Sequence, residues 1–271
     1  MLPAVPARLH FFLGKAVEGA TVTVRNEGGE VVRRVSSPAR LEPGAHSLAW
    51  DLRHDGAIVF ENMILEAASP ASGPLVVPGT YTVTLDLGNT ELERRLRVRL
   101  DPRLRNVTSD QLEAQQKLAL MLRDAVSEAN RTVLAIRKLR DELSRGSSSG
   151  ELAPAKQQLL DKLSAIESTL YQTRNKSPKD KIAHPIMLND RLAHLMDLVG
   201  MGAGPPTQAQ LQVYGELSAE LNAALARYRA VLANELEAYN RQLMFRRRGA
   251  NDGKLPSAAH PPEVVLRTAE W

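Results

Sequence analysis

The pattern of apolar residues changes once along this chain, close to Asp101 and Pro102. Before this point, apolar and polar residues alternate in short runs separated by turn-forming glycine, proline and asparagine. After it, apolar residues recur every three or four positions over long stretches. Alternation is typical of β-strands, and the longer spacing is typical of helices. The chain is therefore predicted to be an α+β multidomain protein with an antiparallel β-sandwich (residues 1–102), an antiparallel helical bundle with two long helices (103–248) and a poorly ordered tail (249–271).

Short alternating runs define the predicted sandwich. Residues 21–25 and 31–35 flank a glycine-containing turn, which predicts a β-hairpin. Residues 81–87 alternate strongly, and after a second turn the run 92–100 places its leucines and valine on one face. Roughly five to seven short strands at this spacing favour an immunoglobulin-like or fibronectin-like sandwich.

Trp50 is the aromatic residue of this region that most invites a functional interpretation. Leu48, Trp50 and Leu52 alternate onto one face of a predicted strand. We therefore interpret Trp50 as the central core aromatic of the sandwich rather than as a platform for ligand stacking. Residues 54–78 are less regular, and we predict a long crossing connection with at most one strand, apolar enough to pack on a neighbouring domain.

Polar residues mark the beginnings of the two long helices. Thr108 with Gln111, and Thr207 with Gln210, have the spacing of capping boxes. The first box predicts a helix that ends near Arg145, and the second predicts the last helix of the bundle. Both helices carry a single apolar stripe, which we interpret as bundle core rather than as a cofactor or partner surface.

Two shorter helices are predicted between the long ones. Residues 146–150 are predicted to be a flexible connection, after which Pro154 suits the first turn of a helix. A polar, proline-bounded loop at 175–185 leads to a third helix that stops at Gly200.

Composition excludes several kinds of site. The chain has no cysteine, which excludes disulfides, thiolate metal sites and a cysteine nucleophile. Only 4% of the residues are aromatic, and the net charge of +4 comes from interleaved charges, so no nucleic-acid partner is expected. No signal peptide and no apolar run of about eighteen residues is found, so no membrane span is predicted. The compartment stays open, with a secreted or cell-envelope location expected if the chain is part of a longer exported protein.

The six histidines are scattered, and no pair has the spacing of a zinc site. Asp190, His194 and Asp197 fall on one helical face and form the best candidate for binding a divalent ion. The favoured interpretation is three exposed polar residues on an amphipathic helix. We therefore predict no metal and no cofactor.

Carboxylates occur as close pairs within the predicted helices: Asp141 with Glu142, Glu216 with Glu220, and Glu235 with Glu237. A glycosidase needs two carboxylates that face each other across a cleft, and the sequence does not place these pairs in that way. It also contains no nucleophile elbow, no phosphate-binding glycine loop and no His-Glu-x-x-His motif. No catalytic, cofactor-binding or metal-binding residue is therefore predicted.

Basic residues cluster after the last helix and in one loop. Arg246 to Arg248 lie where positive charge complements a helix dipole, so we interpret them as a charged helix end. The alternative is that these arginines and the loop 176–181 bind an anionic surface.

The order of several short motifs resembles one protein family. These are residues 9–13, Leu-Ala-Trp-Asp-Leu-Arg at 48–53, 63–65, the segment 73–81 that ends in Pro-Gly-Thr-Tyr, Asp-Pro-Arg at 101–103, 127–130, 166–172 and 188–192. Together they resemble the C-terminal region of bacterial BNR-repeat, sortilin-like β-propeller proteins, a family often labelled glycosyl hydrolases. The sandwich itself is similar to the Ig-like domain of the flagellar hook-capping protein family. The resemblance covers about residues 9–243.

The resemblance implies a function without supplying a catalytic residue. In that family the propeller precedes this region and carries any hydrolase or ligand-binding activity, and the propeller's Asp-box repeat, Ser-x-Asp-x-Gly-x-x-Trp, does not occur here. We therefore expect a non-catalytic accessory or interaction module, either a truncated or a separately encoded tail. Its expected partners are a β-propeller protein or a second copy of the chain. The alternative is hydrolase activity on glycosides, inherited with the family label.

Overall fold

The computed structural model of the protein describes residues 6–37, 39–66, 68–145 and 152–251, with side chains described as far as residue 245. Antiparallel strands in the N-terminal part are followed by helices, so the predicted α+β class is confirmed. The chain forms two compact units, the first made of Met1–Ile58, Ala68–Asp124 and Leu192–Tyr214, the second of Val59–Ala67, Ala125–Arg191 and Gly215–Trp271. The domain boundaries expected at residues 102 and 248 stay predictions.

The strands belong to the first unit. They are β1 Ala7–Leu13, β2 Ala20–Arg25, β3 Val31–Ser37, β4 Gly44–Trp50, β5 Arg53–Asp55, β6 Ser72–Leu75, β7 Gly79–Asp86 and β8 Glu91–Val98. One sheet has the order β3-β2-β7-β8, while β1 pairs with β4 and β5 pairs with β6. The predicted hairpin is β2–β3, and Gly29 closes its turn at a φ of 81° that favours glycine.

The core of the sandwich contains two aromatic side chains in edge-to-face contact. Trp50 is fully buried, and its ring centroid lies 5.4 Å from that of Tyr81. Trp50 Nε1 donates a hydrogen bond of 2.9 Å to the carbonyl of Arg53, and the Tyr81 hydroxyl donates one of 2.7 Å to the carbonyl of Val77. Both polar atoms are thus satisfied inside the core. The interpretation of Trp50 as a core residue is confirmed.

The chain bends at Leu52, between β4 and β5. Leu52 has a φ of 59°, in the left-handed region that leucine rarely adopts. Its carbonyl accepts a hydrogen bond of 2.9 Å from the backbone N–H of Val76, next to the β5–β6 ladder. The connection 54–78 therefore contributes to two short strands, whereas the sequence predicted at most one.

The rest of this connection belongs to the second unit and packs on helical residues. The rings of Phe60 and Tyr171 meet edge-to-face with centroids 5.0 Å apart. The backbone N–H of Ile64 donates to the Tyr171 hydroxyl at 3.0 Å, and that of Glu66 donates to Asp190 Oδ2 at 2.8 Å. The segment therefore contacts residues of its own unit, and the expectation that it packs on a neighbouring domain stays a prediction.

The helical elements are α1 Ser109–Arg145, α2 Leu152–Leu170, a 3₁₀ helix Pro178–Ile182, α3 Leu188–Gly200, α4 Gln208–Val231, a π-helical turn Leu232–Leu236 and α5 Glu237–Asn251. The last three are joined into one long helix. Within the described residues, no helix combines the length and the apolarity needed to cross a membrane.

Both predicted capping boxes are present. The backbone N–H of Gln111 donates to Thr108 Oγ1 at 3.3 Å, and Gln111 Oε1 accepts from the backbone N–H of Thr108 at 3.1 Å. Thr207 and Gln210 make the same reciprocal pair at 3.2 and 2.9 Å. These bonds satisfy N–H groups that the first turn leaves without a helical partner, which is why α1 and α4 begin at these residues.

Local features differ from the predicted helices in two places. The π-helical turn interrupts what the sequence predicted as one regular last helix, and the loop 175–185 contains the 3₁₀ helix, which begins at a capping box of Ser177 with Asp180. The predicted connection 146–150 lies outside the described residues. Of the predicted tail, residues 249–251 continue α5 and residues 252–271 lie outside the described part.

Candidate functional site

A groove of about 1050 Å³ lies within the first unit and is the best candidate for a binding site. Its walls are residues 72–78, residues 98–104, the first turns of α1 and the C-terminal end of α3 with the residues that follow. Small-molecule pockets usually occupy about 300–1,000 Å³, so this groove is slightly larger than that range.

The first turns of α1 present one face to the groove. The residues involved are Leu112, Gln115, Gln116 and Ala119, whose spacing places them on the same side of a helix. Because the Thr108 capping box fixes where α1 begins, it also sets the helical phase of this face. Local sequence chemistry thus determines which side chains line this wall.

Two glutamines donate hydrogen bonds to backbone carbonyls around the groove. Gln115 Nε2 donates to the carbonyl of Val199 at 2.6 Å and to that of Gly202 at 2.8 Å. Gln116 Nε2 donates to the carbonyl of Leu75 at 3.1 Å. These bonds hold three walls together and give each of those carbonyls a hydrogen-bond partner within the protein.

Apolar side chains make up most of the remaining lining: Leu52, Leu75, Val76, Val77, Leu100, Leu104, Leu112, Ala119, Met196 and Met201. Met201 is 66% exposed, so part of this apolar surface is open to solvent. Methionine is flexible and polarizable, which suits a surface that adapts to apolar groups of a partner. The chemistry of the groove favours apolar contact.

The carboxylates at the groove act as fixed hydrogen-bond acceptors. Asp101 binds the guanidinium and the backbone N–H of Arg103, and these hydrogen bonds lower the pKa of Asp101 to about 2. Asp197 Oδ2 accepts from the backbone N–H of Ser69 at 3.2 Å. A general acid in glycoside hydrolysis needs a raised pKa, and Asp101 has the opposite shift.

A second polar cluster lies in the second unit around Glu167. Glu167 is buried, and its two oxygens accept from Arg137 Nε at 2.7 Å and from Arg140 Nη1 at 2.6 Å. The Arg137 guanidinium also lies over the rings of Phe60 and Tyr171, at 4.6 and 5.1 Å from their centroids. A cleft of about 300 Å³ beside it includes both arginines and Asp141. Since both oxygens of Glu167 are bound, we interpret the cluster as a clamp between α1, α2 and the connection.

Only some of the candidate ion-binding residues on α3 are exposed, whereas the favoured interpretation of the sequence required all three to be. His194 is exposed, but Asp190 is buried, because it binds the backbone N–H of Glu66. Asp197 is half-buried and binds the backbone of Ser69. The interpretation of all three as exposed polar residues is therefore wrong for Asp190. No group of three or more metal-ligating side chains occurs among the described residues.

The predicted carboxylate pairs separate into different environments. Glu220 forms a bidentate ion pair with Arg191 at 2.6 and 3.1 Å. Glu235 lies in the π-helical turn and binds Lys162, and this hydrogen bond lowers the pKa of Glu235. Glu237 and Asp141 are exposed.

Of the two basic segments, only the loop 176–181 has its side chains within the described residues. The side chains of Arg246 to Arg248 lie outside the described residues, so their interpretation stays a prediction. In the loop 176–181, Asp180 accepts backbone hydrogen bonds from Lys176 and Ser177, and these lower its pKa. The loop thus places an ionised carboxylate among its lysines.

His54 in β5 is the histidine whose pKa departs most clearly from the usual value. Burial lowers its pKa to about 4, and the nearby Arg123 guanidinium acts in the same direction. His54 is therefore neutral at physiological pH. It lies in the sandwich, where neutrality suits packing rather than proton transfer.

Sequence reasoning did not find the groove or the Glu167 clamp. The groove joins stretches of chain about a hundred residues apart, and no local pattern indicates that they meet. A weak signal did exist for the clamp, because Arg137 and Arg140 are three residues apart and share a helical face.

Comparison with known proteins gives a partial likeness to a solved structure. No family model matches this chain, and no curated protein matches it. Among solved structures, FlgD from P. aeruginosa is similar over 36% of this chain and 62% of that chain, with 18% sequence identity and a TM-score of 0.24. The match thus spans less than two thirds of the length of that FlgD chain.

Proposed function

We propose that this protein is a non-catalytic interaction module whose groove binds an apolar segment of a partner protein. The observation that carries the proposal is the lining of the groove, where apolar side chains surround backbone carbonyls already bound by Gln115 and Gln116. Burial of an apolar partner surface is the favourable term that such a lining offers.

A protein segment suits this groove better than a small polar metabolite. Several side chains of a partner fit a volume of about 1050 Å³, and the groove carboxylates Asp101 and Asp197 already bind Arg103 and Ser69. Of the arginines that line the groove, Arg53 donates to the carbonyl of Gly73 and Arg103 binds Asp101, so a charged metabolite would compete with bonds already made to compensate for its lost hydration. The apolar side chains of a partner carry no such cost.

The resemblance to sortilin-like β-propeller proteins supports a propeller as the partner. In such an arrangement this chain acts as a scaffold or binding tail, and any chemistry on glycosides belongs to the propeller. The propeller contributes the apolar segment, and Met201, being exposed beside the groove, makes early contact with it.

The test uses two matched tryptophan variants. Ala203→Trp fills the groove from its half-buried wall, whereas Ala209→Trp adds the same side chain at an exposed position of α4 that does not line it. We expect A203W to weaken binding of a sortilin-like β-propeller protein at least tenfold in titration calorimetry, with A209W unchanged. The apolar dye 1-anilinonaphthalene-8-sulfonate should show the same difference in fluorescence. Equal binding by both variants, or no binding of propeller and dye by the unaltered chain, would overturn the proposal.

The glycosyl hydrolase alternative has its own readout. The purified chain should release no nitrophenol from a panel of nitrophenyl glycosides. Turnover that disappears on substitution of a single Asp or Glu would replace the binding function by a catalytic one.

A further inference from the structure

We propose that strand β1 pairs with β1 of a second copy of this chain, so that two sandwiches share one continuous antiparallel sheet. β1 forms a ladder with β4 along one edge, and no other described strand pairs with it. The other edge therefore presents a row of backbone N–H and C=O groups that a further strand can bind. This pairing is independent of the groove.

The edge of β1 lacks the charges that line β8, one of the two edge strands of the four-stranded sheet. The edge strand β8 carries five exposed charged side chains: Glu91, Glu93, Arg94, Arg95 and Arg97. Such charges discourage pairing with another strand. β1 carries one charged side chain, Arg8, and exposes 77% of Phe12. Among these two edges, β1 is the one built to accept a strand.

β1 is complementary to itself in an antiparallel register centred on His10. Its inward side chains, Leu9 and Phe11 among them, pack against the sandwich core, while Arg8, His10 and Phe12 are exposed. In this register Leu9 lies opposite Phe11 of the second copy, which extends the apolar face across the pair. On the outer face Arg8 lies opposite Phe12 of the second copy, where a guanidinium and an aromatic ring attract each other.

This reciprocity favours a second copy over an unrelated strand. A foreign strand needs an aromatic residue opposite Arg8 and a basic or polar residue opposite Phe12, and β1 itself supplies both at the required spacing. With a two-fold axis through His10, the contact of Arg8 with Phe12 and that of Leu9 with Phe11 each occur twice in the dimer. The pairing closes on itself and gives a dimer rather than a chain of subunits.

A single cysteine tests the register directly, because the chain contains none. In the proposed register the two Cα atoms of residue 10 lie about 4.5–5.5 Å apart, within the range that a disulfide bridges. We expect His10→Cys to form a disulfide dimer under mild oxidation by oxidised glutathione. The control Arg8→Cys places its two sulfurs four residues apart along the ladder, about 14 Å, and should stay monomeric. Both positions are exposed, so neither variant disturbs the core.

A reversible measurement complements the cross-link. Sedimentation equilibrium of the unaltered chain should show a monomer–dimer equilibrium at micromolar concentration, and Phe12→Lys should raise the dissociation constant at least tenfold. Phe245→Lys is the matched control, because Phe245 is 81% exposed and lies on α5. It should leave dimerisation unchanged.

Three results would overturn the proposal. These are a monomeric chain at all concentrations, equal cross-linking of H10C and R8C, and edge variants that weaken propeller binding instead of dimerisation, which would assign the edge to that partner. Failure here leaves the groove result intact, because A203W alters neither β1 nor its edge.

Discussion

The sandwich core is fixed by aromatic side chains whose polar atoms bind nearby backbone. Trp50 fills the centre and donates to the carbonyl of Arg53, so its loss removes both packing and a buried hydrogen bond. We expect Trp50→Ala to lower the free energy of unfolding by about 3–5 kcal/mol and Trp50→Phe to lower it less. Urea denaturation followed by circular dichroism measures both. Phe245→Ala, at an 81% exposed position, should stay within about 0.5 kcal/mol, and a comparable loss there would contradict this account.

The neutral state of His54 links stability to pH. Its pKa is about 4 in the folded chain against a usual value of 6.5, so between these values the unfolded state binds more protons. Stability should therefore fall as the pH is lowered from 6.5 to 4, by about 2 kcal/mol after allowance for partial solvent screening. The proton uptake of Asp101 lies outside this window, because its pKa falls from 3.8 to about 2 on folding.

The matched variant for this prediction is His54→Gln. It removes the titrating ring and keeps the backbone carbonyl that accepts from Arg33. Unfolding curves of both proteins should be recorded at intervals between pH 7 and pH 4. A variant with the same slope as the unaltered chain would show that another group titrates in this range.

A buried carboxylate joins helices α1 and α2 in the second unit. Glu167 is almost fully buried, while its partners Arg137 and Arg140 are partly exposed. Replacing both arginines by methionine leaves a buried carboxylate without a partner, and we expect a loss of about 2–3 kcal/mol. Adding Glu167→Met should recover most of that loss, because the buried charge disappears. Urea denaturation of the three proteins measures this, and a triple variant no more stable than the double one would contradict it.

Elements that depend on neighbours in sequence were predictable, and those that depend on distant partners were not. The capping boxes at Thr108 and Thr207 and the stop at Gly200 follow from chemistry within one helical turn. The structure begins α1 and α4 directly after the two boxes and ends α3 at Gly200. Strand β6 becomes a strand through its ladder with β5, and Asp190 is buried through a bond to Glu66, 124 residues away. No periodicity records such pairings.

The α+β class was predictable for the whole molecule, because it needs only the change from alternating to helical periodicity. The candidate site was not, since its walls come from β6, the end of β8, α1 and α3, which no motif connects. The sequence places Leu100 on a strand face and Leu112 on a helix stripe, whereas residues 75–77 belong to the irregular connection. Part of that apolar surface instead lines an open groove, which is why a search for catalytic motifs could not find it.

The interleaving of the two units has a consequence for biosynthesis. The first unit needs Leu192–Tyr214, and the second needs Val59–Ala67. On a ribosome the strands emerge first, yet the wall of the groove at residues 196–203 appears only after most of the chain has been made. Until then the apolar surface of the groove is unfinished and accessible, so the nascent chain passes through a stage in which a chaperone can bind apolar side chains that the finished groove arranges.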